Sequence, residues 1–128
     1  MQLPSSVIYR LLLGEHIYPQ EREKLGINQT TKIKFNDLVS FLANEIKNTN
    51  RFPPVTQKES LSPVYEGKVI TKITGNKFIC FSKRTYADNP DIIAENAETI
   101  FNNAEEAAKF FLKWDLCLPG RLDGIIIE

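Results

Sequence analysis

The stretch VYEGKVITKITGNKFICFSKRTY, residues 64–86, constrains the fold more than any other part of the chain. Two runs rich in β-branched and aromatic residues flank Gly75-Asn76, a pair that accepts positive φ and so closes a β-hairpin. With a two-residue turn there, Ile73 faces Phe78 and pairing runs outward. Side chains alternate across a strand, so Val69, Thr71, Ile73, Phe78, Cys80 and Ser82 form one face, the better core face. Lys68, Ile70, Lys72, Lys77, Ile79, Phe81 and Lys83 form the other. A register slip of one residue exchanges these sets.

The second face has two readings. In the first, its lysines guard a solvated sheet against stray strand pairing. In the second, lysines interleaved with apolar residues form a binding face, with Lys68, Lys72, Lys77, Phe81 and Lys83 as the contact residues. An acidic protein or a nucleic-acid backbone fits that chemistry.

The rest of the chain packs around this ribbon. Ser5 or Ser6 caps a helix carrying Val7, Ile8, Leu11 and Leu12, and Pro19 stops it near Tyr18. Residues 20–31 read as a polar connector, and 30–35 as a short strand with Ile33 and Phe35 alternating against lysines. Asn36 caps a helix over 37–48, with Leu38, Phe41, Leu42 and Ile46 at helical spacing. Arg51-Phe52-Pro53-Pro54 breaks structure, because proline removes a donor and fixes φ. After the hairpin, Asn89-Pro90-Asp91 starts a short helix, and residues 98–101 return as a strand. Asn103 and Glu106 open a helix over 104–118, whose stripe of Ala107, Ala108, Phe110, Phe111, Trp114 and Leu118 covers the hairpin. Asp123-Gly124 signals a turn before Ile125-Ile126-Ile127, a strand placed beside the hairpin.

The fold class is therefore α+β: N-terminal helices, then a small antiparallel sheet made of hairpin 64–86 and a C-terminal strand, covered by amphipathic helix 104–118. At 128 residues the chain reads as a single domain with room for a core. The alternative division is a helical subdomain over 1–50, a linker over 50–63 and a hairpin–helix half over 64–128.

Sixteen basic and sixteen acidic residues balance, which weighs against a dedicated nucleic-acid binder. The hairpin is locally basic and the segment after it acidic, so the acidic segment is expected to fold back near the hairpin. Cys80 and Cys117 sit among apolar neighbours and read as small buried hydrophobes, not as a disulfide framework. Together with the single histidine, His16, they are too few for a four-ligand zinc site. No basic leader and no run of about twenty apolar residues is present, so the expectation is a cytoplasmic location and no membrane contact.

The sequence carries no phosphate-binding glycine loop, no paired-histidine metal motif and no nucleophile elbow. It calls for no cofactor and leans away from catalysis. Arg121 and Asp123 form a polar turn that reads as a local salt bridge. The leading expectation is a binding or regulatory module acting through protein contacts. The alternatives are a nucleic-acid-binding accessory protein using the lysine face, and a small enzyme or ligand carrier with a pocket where His16, Arg121 and Asp123 converge.

Overall fold

The computed structural model describes residues 3–53, 68–73, 75–82, 100–115 and 120–128. Among these it contains four helices, α1 (Ser5–Leu12), α2 (Pro19–Leu25), α3 (Phe35–Thr49) and α4 (Ala104–Asp115). It also contains seven short strands, in chain order β1 (Lys32–Ile33), β2 (Arg51–Phe52), β3 (Lys68–Ile73), β4 (Lys77–Ser82), β5 (Ile100–Phe101), β6 (Arg121–Leu122) and β7 (Ile125–Ile127). The architecture is α+β, with an antiparallel sheet in the order β2-β3-β4-β5.

The hairpin pairs one residue away from the register that a two-residue turn dictates. Ile73 stands opposite Lys77, Thr71 opposite Ile79 and Ile70 opposite Cys80. Gly75 and Asn76 take positive φ as the turn requires (82° and 58°), but the connection is one residue longer. Because strand alternation has a period of two, that residue redistributes the faces. Ile70 joins Phe78 and Cys80 on one face, together with Phe52 and Phe101 from the flanking strands. Val69, Thr71 and Ile73, expected with Phe78, fall with Ile79 and Lys77 instead. Val69 and Ile79 are both fully buried, so this second face is not the solvated one.

Helices α3 and α4 cover the first face. Leu38, Leu42 and Ile46 of α3 and Ala107, Ala108, Phe111 and Leu112 of α4 meet Phe52, Ile70, Phe78 and Cys80 in the main core. Phe52 stands edge-on between Tyr9 and Phe111, at 5.9 and 6.1 Å between centroids, a favourable aromatic geometry. Helix α4 thus covers the hairpin as its stripe predicts, although Leu112 is buried where Phe110 is not. Lys47 of α3 pairs with Glu105 of α4 across the surface.

The C-terminal strand departs from expectation. Strand β7 does not join the hairpin sheet. It pairs parallel to β1, Lys32 opposite Ile126, and antiparallel to β6, forming a second sheet in the order β1-β7-β6. Ile125 and Ile127 point into different parts of the core. Ile125 joins Leu3, Val7, Leu11, Ile17 and Ile27, while Ile127 joins the α3–α4 core. Leu12 of α1 also reaches the main core. Residues from the first fifty positions and from the hairpin–helix half therefore share one apolar interior.

Helix α1 ends at Leu12, short of Tyr18, and Pro19 opens α2 in place of the expected connector. Proline suits the first helical turn because that N–H has no partner to lose. Gly26 closes α2 in the left-handed conformation, with Ile27 N–H donating back to the Arg22 carbonyl at 2.9 Å. No side chain of Ser5, Ser6 or Asn36 caps a helix; α1 and α3 begin after Pro4 and Lys34.

Candidate functional site

The densest polar construction joins two segments 107 residues apart in sequence. Residues 15–18 run between α1 and α2, anchored by the fully buried Ile17. Asp123 occupies the two-residue turn between β6 and β7, where Leu122 stands opposite Ile125. Asp123 and Gly124 both take positive φ, 50° and 83°. This is the mirror-image hairpin turn that an Asp-Gly pair favours, and it aims the Asp123 carboxylate back at the α1–α2 connection.

There the carboxylate accepts three donors. His16 Nδ1–H donates to Oδ1 at 2.7 Å, and the Ile17 amide donates to Oδ2 at 2.8 Å. Arg22 Nη2 donates to Oδ2 and also to the Asp123 carbonyl at 2.6 Å, while its Nε–H donates to the Ile17 carbonyl at 2.7 Å. Partial burial by itself raises the Asp123 carboxyl. The Ile17 amide, the His16 hydrogen bond and the Arg22 charge outweigh it and hold the carboxyl below its ordinary value. Tyr18 sets its ring edge-on to His16 at 5.1 Å.

Two of the three residues expected to converge do so. His16 and Asp123 are directly bonded. Arg121 is not paired with Asp123: its Nη1 donates to the Gly124 carbonyl at 3.0 Å, and the expected local salt bridge is replaced by the Asp123–Arg22 pair. The physical reason is that Arg121 lies on strand β6 whereas Asp123 has left it. Its positive φ breaks the alternation that would otherwise set residues two apart on one face. Arg22 was hidden from sequence reasoning because residues 20–31 read as a connector. The available signal was Pro19 and Gly26, which bracket a helix and place Arg22 one turn inside it.

The carboxylate fixes the His16 tautomer with hydrogen on Nδ1, leaving Nε2 as the basic atom. The imidazole is 55% exposed. Among the described residues no hydroxyl or thiol bonds to the ring, so the pair has the orienting half of a nucleophilic triad without the nucleophile. What the geometry does directly is clamp the α1–α2 connection to the β6–β7 turn. On the other side of the same turn lies an open cleft of about 420 Å³, lined by Arg22, Ile27, Asn28, Gln29, Arg121 and Gly124.

The lysine-lined hairpin face is not a single surface. In the observed register, positions 68 and 72 share a face with Ile70, Phe78 and Cys80, whereas positions 77 and 81 share the other with Val69 and Ile79. Lys72 and Lys77 are exposed; Lys83 lies outside the described residues. The segment after the hairpin does fold back beside it, through β5 and α4, but its described acids pair with other bases. Glu105, Asp123 and Glu128 pair with Lys47, Arg22 and Lys32.

Cys80 is buried against α4, its Sγ 3.9 Å from the Ala107 carbonyl, and burial pushes the thiol up to about 12. It is a packing residue, not a nucleophile. Cys117 lies outside the described residues. Among the described residues no group of three His, Cys, Asp or Glu side chains is placed to hold a metal ion, and no helix is long and apolar enough to cross a membrane.

A second surface stands out on α4. Phe101 of β5, Phe110 and Trp114 follow one another ring to ring, with centroids 5.2 and 5.9 Å apart. Phe110 is 37% exposed. Strand β5 is the outer strand of the described hairpin sheet, so this aromatic ledge runs along the sheet edge. Lys109 and Lys113 flank it, with Lys113 Nζ 5.9 Å from the Phe35 ring centroid. The chain matches no protein-family model, no curated protein and no solved structure.

Proposed function

We propose that this chain is a binding module acting through protein contacts, with the aromatic ledge on α4 as its anchor. The observation that carries this reading is the exposure of Phe110 within the Phe101–Phe110–Trp114 ladder at the sheet edge. Surface aromatics are the side chains that most often supply the central energy of protein interfaces. The flanking Lys109 and Lys113 favour a partner segment that is apolar with acidic residues beside it. This reading puts the anchor on α4 and not on the hairpin lysines, which the register distributes between two faces.

The test compares tagged wild-type chain with Phe110→Glu and Lys72→Glu as baits in a native extract, followed by reconstitution with the purified partner. The expected result is a stoichiometric partner retained by wild type and Lys72→Glu but lost by Phe110→Glu, all three melting at similar temperatures. Equal retention by Phe110→Glu removes the ledge reading. Loss by Lys72→Glu alone returns the anchor to the hairpin. Nucleic acid in the eluate, released by salt, supports the electrostatic alternative instead.

A further inference from the structure

The cleft behind the Asp123 turn has a composition that the clamp does not require. Its lining holds two guanidinium groups, two side-chain amides, one isoleucine and one glycine, and no carboxylate. Asp123 is spent on His16, the Ile17 amide and Arg22. Those contacts also hold Arg22 rigid: its Nε and Nη2 are committed to Ile17 and Asp123, leaving Nη1 on the Gly124 side. A Cβ at position 124 would stand 3.8 Å from that Nη1, and the φ of +83° there already favours glycine. That distance is ordinary van der Waals contact, so the backbone conformation and not space calls for glycine, and the guanidinium edge borders the turn.

Arg121 brings the second fork. It uses Nη1 on the Gly124 carbonyl and is otherwise exposed. Asn28 is oriented as well. Its Oδ1 accepts both the Thr30 amide (2.8 Å) and the Thr30 hydroxyl (2.6 Å), so its NH₂ is the polar end left for another acceptor. Gln29 adds a further amide. Donors therefore outnumber acceptors on the cleft wall, and guanidinium forks match the two oxygens of a phosphate or carboxylate. A volume of about 420 Å³ suits a small molecule, and the open rim selects the charged head and not the remainder.

We propose that this cleft binds the oxyanion of a small molecule, a phosphate ester or a carboxylate, between Arg22 and Arg121. The proposal is independent of the aromatic ledge. It is tested by titrating the full chain with inorganic phosphate and, separately, with citrate. Shifts in the ¹⁵N spectrum of the arginine Nε–H and side-chain amide signals are followed, with chloride at matched ionic strength as reference. The expected result is a saturable shift at Arg22, Arg121 and Gln29, weakened about tenfold or more by Arg121→Gln, the loss of one charge-assisted fork. The stronger of the two probes names the source of the oxyanion. Phe110→Glu should bind the same probe unchanged. Shifts equal to those with chloride, saturation at other residues, or undiminished binding by Arg121→Gln would each overturn it. Gln29→Ala carries the same readout if Arg121→Gln does not fold.

Discussion

The Asp123 carboxylate holds three donors from the α1–α2 side of the molecule, and its removal should be felt beyond its own turn. Asp123→Ala strips the acceptor from the Ile17 amide and from Arg22, both partly buried. A loss of about 1–3 kcal/mol in urea unfolding is expected, the range for groups left without their charged partner. The pH dependence has a definite sign. The folded carboxyl sits below its ordinary value, so on acidification the unfolded chain takes up the proton first. Its stabilisation is complete above the ordinary carboxylate range and is lost as pH falls through the lower folded value. Asp123→Asn should therefore flatten the acid limb of the stability curve, from the ordinary carboxylate range downward; an unchanged slope would assign that limb to other carboxylates. Cys80 supplies a second residue-scale check. With its thiol near 12 and its side chain buried, iodoacetamide should label it only as fast as the chain opens, read by peptide mapping. Prompt labelling of the native chain would contradict the packing.

Among the elements, α4 offers a controlled comparison between neighbours of the same type. Phe111 is 1% exposed and touches Phe52 at the centre of the core. Phe111→Ala should cost about 3–5 kcal/mol. Phe110→Ala, on the adjoining solvent-facing position, should cost far less in the same denaturant series. Equal losses would mean that the ledge is part of the core. Helix α4 and the Gly75-Asn76 turn were legible because a wide apolar stripe and a pair tolerant of positive φ are local signals. The hairpin register was not, because it depends on one residue of turn length, and nothing local distinguishes the two pairings. Ile70 illustrates the effect: it reads as a companion of the lysines and is in fact core. The break between α1 and α2 was missed for a different reason. Proline can stop one helix or open the next, and at Pro19 only the second role applies.

For the whole molecule, the α+β class came from the pattern of elements, whereas the partition into two sheets did not. Three consecutive isoleucines announce a buried strand, but a buried strand has no local mark of its neighbour. Strand β7 chose β1, from far upstream, over the hairpin. The same limit hid most of the candidate site. His16 and Asp123 are individually visible as the lone histidine and a turn acid, yet their meeting depends on that long-range pairing. The prediction at this scale concerns coupling. Replacing Ile126, which faces Lys32 in the ladder, with proline removes its N–H donation to the Thr31 carbonyl. It should perturb the His16 ring signals along with β1, because both rest on β7; a change confined to residues near 126 would show the clamp to be independent of the strand.

The wide sequence separation of that clamp also sets an order of events during synthesis. The α1–α2 connection cannot be fastened until its partner, 107 residues later, has been made. At about 5–20 residues per second that is a wait of about 5–20 s on the ribosome. Throughout it, Val7, Leu11 and Ile17 lack the isoleucine at 125 that completes their cluster. A face made early is thus buried late, and the newborn chain spends those seconds with an oily flank that chaperones are built to recognise.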